Sequence, residues 1–150
     1  MDLILWRHAD AAPGDPDADR ALTDKGRRQA KKMAQWLNKN LPDGCRIISS
    51  PAVRTVQTAQ ALERKFKQHA DLGTDTTPEK LLAAIGWPDG REPVLVVGHQ
   101  PTLGQICALL LSGMTQDWAV RKGSIVWISQ RDDEEMNGLY LKAALGPGLL

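Results

Sequence analysis

The sequence predicts an α/β protein, specifically a three-layer αβα sandwich with a mostly parallel central sheet and an antiparallel edge hairpin. Short, strongly apolar runs alternate with longer segments of helical spacing, which is the pattern of βαβ units with parallel strands. The last two apolar runs instead flank the acidic stretch RDDEEMN, which indicates a hairpin. A chain of 150 residues without internal repeats or long linkers is expected to form one domain, residues 1–150.

The first strand is predicted at residues 2–7, where an apolar run ends in basic side chains. Residues 8–22 are rich in Asp, Pro and Gly, so we expect a loop there. Thr23 can cap a helix that continues to about Leu41. The apolar residues of that helix recur at helical spacing and define its buried face: Ala30, Met33, Ala34, Leu37 and Leu41.

A second strand is predicted at residues 45–49. Ser50 and Pro51 then indicate a helix start, with a hydroxyl cap and a proline at the first helical position. We expect this helix to run to about Gln68, with four inward-facing residues: Val56, Ala59, Leu62 and Phe66. Residues 69–77 have no clear pattern.

Predicted helices and strands also alternate in the second half of the chain. A short helix is predicted at residues 78–85 and a buried strand at 93–99, PVLVVGH. A helix follows, marked by an apolar stripe of Leu103, Ile106, Cys107, Leu110 and Leu111. The two hairpin strands are expected at residues 124–129 and 138–145.

The composition excludes several classes of protein. Hydrophobic residues make up 42% and charged residues 25%, as in an ordinary soluble domain. A formal net charge of +1 provides no strong field for nucleic acid or membranes. No apolar run suits a membrane span or a signal peptide, so we expect a cytoplasmic protein. Cys45 and Cys107 form no CxxC pair and are expected to be reduced and structural.

Basic side chains follow three of the predicted strands. Arg7 and His8 end the first strand, and Arg54 falls in the first turn after the second. His99 ends the strand at 93–99. Parallel strands place these ends at one edge, where α/β proteins bind ligands. Each residue alone could be an ordinary surface or turn residue, but together with helix N-termini they suit a compact dianion such as phosphate.

Several catalytic motifs are missing from the sequence. It contains no GxxxxGK[ST] loop, no GxSxG elbow, and no HExxH or paired Cys/His spacing for a metal. A phosphate pocket without these groups leaves histidine as the natural nucleophile, because an imidazole nitrogen can attack phosphorus and form a phosphohistidine. No cofactor or metal is expected.

Four motifs resemble those of the histidine phosphatase superfamily, the phosphoglycerate mutase-like proteins. The Arg-His-Gly motif reads R-H-A at residues 7–9, and LTDKGRRQA at 22–30 is similar to the first-helix signature. SSPAVRTVQTA at 49–59 and VVGHQP at 96–101 are similar to the second-arginine and second-histidine motifs. The short chain resembles the SixA-type branch, which implies phosphohistidine in a partner protein as the substrate.

The resemblance implies a role for each residue of the site. His8 is expected to be the nucleophile, attacking through a neutral nitrogen while its other nitrogen donates to a backbone carbonyl. Arg7 and Arg54 are expected to clamp the phosphoryl oxygens, with His99 as a protonated donor. Gln100, which follows His99 in the motif VVGHQP, is expected to be a further phosphate ligand.

Two departures from the family pattern concern the loop and the proton donor. Ala9 replaces the motif glycine, which would matter if the position required a positive φ. Many relatives place a glutamate between the second helix and the next strand, and Glu79 is a poor counterpart because it falls at a predicted helix start. Asp10 is the better candidate for the proton donor, although it could equally be a solvated loop acid.

Three functions therefore compete. The first is a phosphatase acting on a phosphohistidine-bearing protein, and the second is a small-molecule phosphomonoesterase with the same mechanism. The third is a phosphate-binding module without turnover. The basic first helix is either a solvated face or a docking surface for an acidic partner domain. The sequence does not indicate an oligomeric state.

Overall fold

A computed structural model describes residues 1–130 and 138–150. Its strands are β1 (Asp2–Arg7), β2 (Arg46–Ser49), β3 (Lys67–Gln68), β4 (Val94–Gly98), β5 (Ile125–Gln130) and β6 (Leu139–Leu145). Its helices are α1 (Asp24–Asn40), α2 (Val53–Gln60), α3 (Pro78–Ala84) and α4 (Thr102–Ser112). The acidic stretch RDDEEMN at 131–137, where the sequence predicts a hairpin turn, lies outside the described residues.

The strands form one sheet in the order β3-β2-β4-β1-β5-β6. β1, β2, β3 and β4 are parallel to one another, whereas β5 runs antiparallel to β1 and β6 antiparallel to β5. The α/β class, the mostly parallel sheet and the antiparallel edge are thus confirmed.

Helices cover both faces of the sheet because side chains along each strand alternate between two cores. On one face, Ile4 and Trp6 of β1 pack with residues of α1 and α2, including Met33 and Ala59. On the other face, the alternate residues of β1 pack with residues of α3 and α4: Leu3, Leu5, Leu81, Leu103 and Ile106. The predicted buried face of α1 is confirmed, with Leu41 partly buried at its end.

Helix α2 is shorter than predicted. It ends at Gln60 rather than near Gln68, and Glu63 follows in a left-handed conformation with φ of 54°, which is incompatible with a continuing helix. The chain then forms β3, which pairs with β2 in parallel. The N-cap of α2 is Ala52 rather than Ser50, and the Ser50 hydroxyl contacts both Thr55 of α2 and the ring of His99.

In the part of the chain that the structure describes, no helix is long and apolar enough to cross a membrane.

Candidate active site

The carboxyl ends of β1, β2 and β4 lie side by side. Arg7 is in register with Gly98, and Ser49 with Val97, so the three following loops start at the same edge. The rings of His8 and His99 are 5.4 Å apart between centroids. The structure therefore brings together residues that are far apart in the sequence, as the parallel topology predicts.

His8 is buried, with 6% of its surface exposed, and its orientation is defined by one hydrogen bond. Nδ1 lies 2.7 Å from the carbonyl oxygen of Ala9. A carbonyl oxygen can only accept, so Nδ1 carries the hydrogen and Nε2 keeps its lone pair. Nε2 has no hydrogen-bond partner among the described residues. This is the tautomer that an attacking imidazole requires.

The pKa of His8 is lowered to about 4. Burial is the main cause, and the nearby cations Arg54, Arg7 and Lys122 lower it further, against the opposing effect of the Ala9 carbonyl. His8 is therefore neutral at pH 7 and available as a nucleophile.

His99 is neutral in the unliganded protein, and its role as a protonated donor to a bound phosphoryl group stays a prediction. Burial, Arg54 and His8 lower the pKa of His99 to about 3. Its Nε2 lies 2.7 Å from the hydroxyl oxygen of Ser50, which also accepts a hydrogen bond from the backbone N–H of Ala52. An anion bound beside His99 would raise its pKa again, because opposite charge favours the protonated form.

Two arginines border the histidines, and each has unused donors. Arg54 is 3% exposed and donates through Nη1 and Nη2 to the backbone oxygen and carboxylate of Asp17, at 2.8 and 2.9 Å. Arg7 donates through Nη1 to the carbonyl oxygen of Val120 at 2.9 Å. The Nε atoms of both arginines are buried without a partner among the described residues. A buried N–H without a partner destabilises the protein, so a ligand oxygen that accepts from it binds more favourably.

Helix α2 also holds the loop that carries His8. The Ala9 N–H donates to the Thr58 hydroxyl at 3.1 Å, and that hydroxyl donates to the carbonyl oxygen of Arg54 at 2.7 Å. The Leu22 N–H donates to the Gln57 side chain at 2.8 Å. The motif SSPAVRTVQTA thus supplies both a guanidinium and the contacts that position the β1 loop.

The contacts of Asp10 favour a loop acid over a proton donor, the role that the sequence predicts for it. Its carboxylate accepts from the Thr23 hydroxyl at 2.7 Å and lies 3.2 Å from Nζ of Lys122. These contacts lower the pKa of Asp10, with the Thr23 hydrogen bond as the largest cause. Asp10 is ionised at neutral pH and connects the His8 loop to the start of α1.

The methyl group of Ala9 fits where the family motif has glycine. Glu63 is the non-glycine residue with positive φ among those described, so Ala9 needs no glycine-like backbone. Ala9 is fully buried and packs with Leu22 and Ala30. The substitution fills a small apolar space.

Gln100 makes structural contacts through its side-chain amide, and its role as a phosphate ligand stays a prediction, since one N–H of Nε2 is not used by these contacts. Its Oε1 accepts from the N–H of Gly104 at 2.7 Å, and its Nε2 donates to the carbonyl oxygen of Trp118 at 2.8 Å. The side chain therefore holds the start of α4 against the segment before β5.

Sequence reasoning missed Ser50, Asp17 and Asp75 as residues of this region. Asp17 and Asp75 line a cavity of about 190 Å³ together with Ser50 and His99. Ser50 was assigned a capping role from the Ser-Pro pair, and the two acids lie in segments without periodicity. The available signals were weak: Asp17 lies in an Asp-rich loop, and Asp75 lies in the stretch between α2 and α3.

The cysteines take no part in this site. Burial raises the pKa of Cys45 to about 11 and of Cys107 to about 12, so neither is a thiolate at neutral pH. Both are free thiols. Among the described residues, no group of three or more His, Cys, Asp or Glu side chains is placed to hold a metal ion.

Replacing Gly26 by alanine is expected to destabilise the protein by about 3 kcal/mol, lowering its melting temperature by roughly 10 °C. A Cβ at Gly26 would overlap the backbone carbonyl of Asp10, because α1 packs directly on that peptide. Thermal unfolding measures the effect. Gly148→Ala is the control, since a Cβ there meets no atom within 4 Å. Equal melting temperatures for the two variants would contradict this packing.

Acidification is expected to destabilise the protein from about pH 6.5 downward. In the unfolded chain the histidines have their ordinary pKa of about 6.5. In the folded protein the pKa of His8 is lowered to about 4 and that of His99 to about 3. The unfolded state thus holds more protons, and stability falls with pH. Chemical denaturation between pH 7 and 4.5 measures this loss, and NMR should show both imidazoles neutral at pH 5.5. Titration of His8 near 6.5 would contradict the lowered pKa.

The chain belongs to the histidine phosphatase superfamily, whose branch 1 model matches residues 3–77. It is accordingly a phosphatase of that superfamily. Among characterised relatives it is similar to the phosphohistidine phosphatase SixA of Escherichia coli K12, with 30% identity over 125 residues and 77% of each chain covered.

Solved structures agree on the fold. The protein histidine phosphatase SixA complexed with tungstate superposes with a TM-score of 0.83 at 24% identity, covering 99% of each chain. The alpha-ribazole phosphatase of Shigella flexneri gives a TM-score of 0.75 at 16% identity, over 98% of this chain and 97% of the other. The fold is therefore shared by phosphatases whose names indicate different substrates.

Proposed function

We propose that this protein removes the phosphoryl group from phosphohistidine in a partner protein, through a covalent intermediate on His8. The observation that carries the proposal is the neutral, buried His8 imidazole, with Nε2 unbonded, beside two arginines whose Nε–H groups lack acceptors. The similarity to SixA supports phosphohistidine as the substrate class.

In the first step, Nε2 of His8 attacks phosphorus and forms a P–N bond while the P–N bond to the substrate imidazole breaks. The Ala9 carbonyl stabilises the positive charge that develops on the His8 ring, because Nδ1–H donates to it. Arg7 and Arg54 stabilise the phosphoryl oxygens in the transition state, and their free Nε–H groups gain acceptors. His99 takes up a proton as the dianion binds and becomes a charged donor.

In the second step, water attacks the phosphorus of phospho-His8. The P–N bond breaks, phosphate leaves and the neutral imidazole of His8 is restored. Splitting hydrolysis into two displacements replaces one difficult step by two easier ones.

The leaving group explains why ionised Asp10 and Asp17 do not prevent the reaction. Hydrogen bonds lower the pKa of both carboxyls, from Thr23 for Asp10 and from Arg20 for Asp17, so neither holds a proton at pH 7. A phosphohistidine ring can take a proton from water on its second nitrogen and leave as neutral imidazole. An alkoxide leaving group has no such site and depends on a donor from the enzyme.

The test compares phosphate release from a histidine-phosphorylated protein domain and from an aryl phosphate ester. We expect kcat/KM to be at least about 100-fold higher for phosphohistidine, with both activities lost in His8→Ala. A preference for the ester would contradict the proposed substrate. A folded protein that binds phosphate but turns over neither substrate would indicate a binding module.

A small-molecule phosphomonoesterase is the second candidate, favoured by Asp75. This carboxyl group lines the cavity beside His99, where the leaving group of a phosphate ester would need a proton donor. The ester function predicts that Asp75→Asn lowers alkyl phosphate hydrolysis by about 100-fold. The phosphohistidine function predicts that the same variant keeps its activity on phosphohistidine.

A further inference from the structure

A basic groove leads away from the site along helix α1. Two adjoining cavities, of about 740 and 290 Å³, share Lys25, Gln29, Pro147 and Gly148 in their walls. We define the basic groove as these two cavities together. The cations that line it are Arg7, Lys25, Arg28, Lys32, Arg121 and Lys122.

The described walls of the groove are strongly basic. Six cations line them and Asp10 is the acidic side chain among them, so they carry five net positive charges. The whole chain carries a formal net charge of +1, so this positive potential is a local feature beside the site.

The cations of the groove are accessible and lightly paired. Lys25, Arg28 and Lys32 are exposed and lie on one stripe of α1, at intervals of three and four residues. Lys122 is 3.2 Å from Asp10, and Lys32 donates to the backbone oxygen of Leu150 at 3.2 Å. Within the described residues, no carboxylate forms a salt bridge with Lys25 or Arg28.

Resting on the proposed function, we infer that the basic groove binds an acidic surface next to the phosphohistidine of the partner protein. Arg7 lines the groove and directly precedes His8 at the end of β1, so the groove opens beside the proposed phosphate site. An acidic protein suits the groove better than a single-stranded nucleic acid. The three cations on α1 span only about 10 Å, and none of the described lining residues is aromatic, so bases have nothing to stack on.

Two phosphohistidine peptides test the inference, identical except for glutamates or lysines beside the phosphohistidine. We expect the wild-type protein to prefer the acidic peptide by about tenfold in kcat/KM at low ionic strength, and less as salt is added. Lys25→Glu/Arg28→Glu should abolish or reverse the preference.

The control is Arg27→Glu/Lys31→Glu, which makes the same charge change on exposed residues of α1 outside the groove. It should keep most of the preference. Equal kcat/KM for both peptides in the wild type, or equal loss in the two double variants, would overturn the inference.

Binding of the unphosphorylated acidic peptide separates failure of the groove from failure of the proposed function. Selective binding without phosphate release would support the groove and contradict the phosphohistidine substrate. Phosphate release without selective binding would support the phosphohistidine substrate and contradict the role of the groove. Tighter binding of a DNA oligonucleotide than of the acidic peptide would assign the groove to nucleic acid and overturn the inference.

Discussion

Replacing His8 by alanine is expected to lower kcat by at least about 10,000-fold on every phosphorylated substrate, because the attacking nitrogen is lost. The fold should persist, since among the described residues the imidazole makes a single hydrogen bond, to the adjacent Ala9. Removal of a buried group with a lowered pKa should also reduce the acid sensitivity of stability. Steady-state phosphate release and chemical denaturation measure the two effects.

His69→Ala is the matched control for this substitution. His69 is exposed, its Nδ1 accepts a hydrogen bond from the N–H of Asp71, and it is not among the residues that line the cavity beside His99. The control should retain wild-type kcat. Residual turnover above about 1% in His8→Ala would show that another group, or water directly, attacks phosphorus.

Replacing Arg54 by lysine is expected to lower kcat/KM by about 100- to 1,000-fold. Lysine keeps the positive charge but cannot provide the planar set of donors that holds Asp17 and leaves Nε–H for a phosphoryl oxygen. The change also weakens the stabilisation of charge in the transition state, so kcat should fall and not only KM rise. Kinetics on phosphohistidine and on an aryl phosphate measure both parameters.

Arg20→Lys provides the comparison, because Arg20 contacts the other carboxylate oxygen of Asp17 at 3.0 Å from a more exposed position. Its exposed ion pair is worth less than about 1 kcal/mol, so kcat/KM should stay near the wild-type value. Similar losses in Arg54→Lys and Arg20→Lys would mean that both act by holding the Asp17 loop, and that Arg54 has no direct part in catalysis.

The position of the site could be predicted from the sequence because it depends on topology. Apolar runs ending at Arg7, Ser49 and Gly98 are buried parallel strands, and residues after such strands meet at one edge. The motif around Gly26 is likewise explained by packing, since only glycine allows α1 to approach Asp10. The hydrogen bond from His8 Nδ1 to a backbone carbonyl also agrees with the expected tautomer.

The properties that could not be predicted depend on burial and on the partners of individual polar atoms. His99 is neutral because burial, and then the nearby Arg54, lower its pKa, which no local pattern encodes. Gln100 and Asp10 lie next to the site in sequence, yet their side chains bond to Gly104 and to Thr23 instead. The end of α2 was misplaced because Phe66 fits a helical stripe but follows the left-handed Glu63.

The location of the phosphoryl group on the enzyme tests the central claim most directly. A phosphohistidine-bearing protein labelled in its phosphoryl group is mixed with the wild-type enzyme, quenched in alkali within the first turnover and digested for mass spectrometry. We predict that the label resides on His8 and is lost in acid, as a phosphoramidate should be. Turnover without a labelled enzyme, or label on His99 or a cysteine, would contradict the assignment of His8 as the nucleophile.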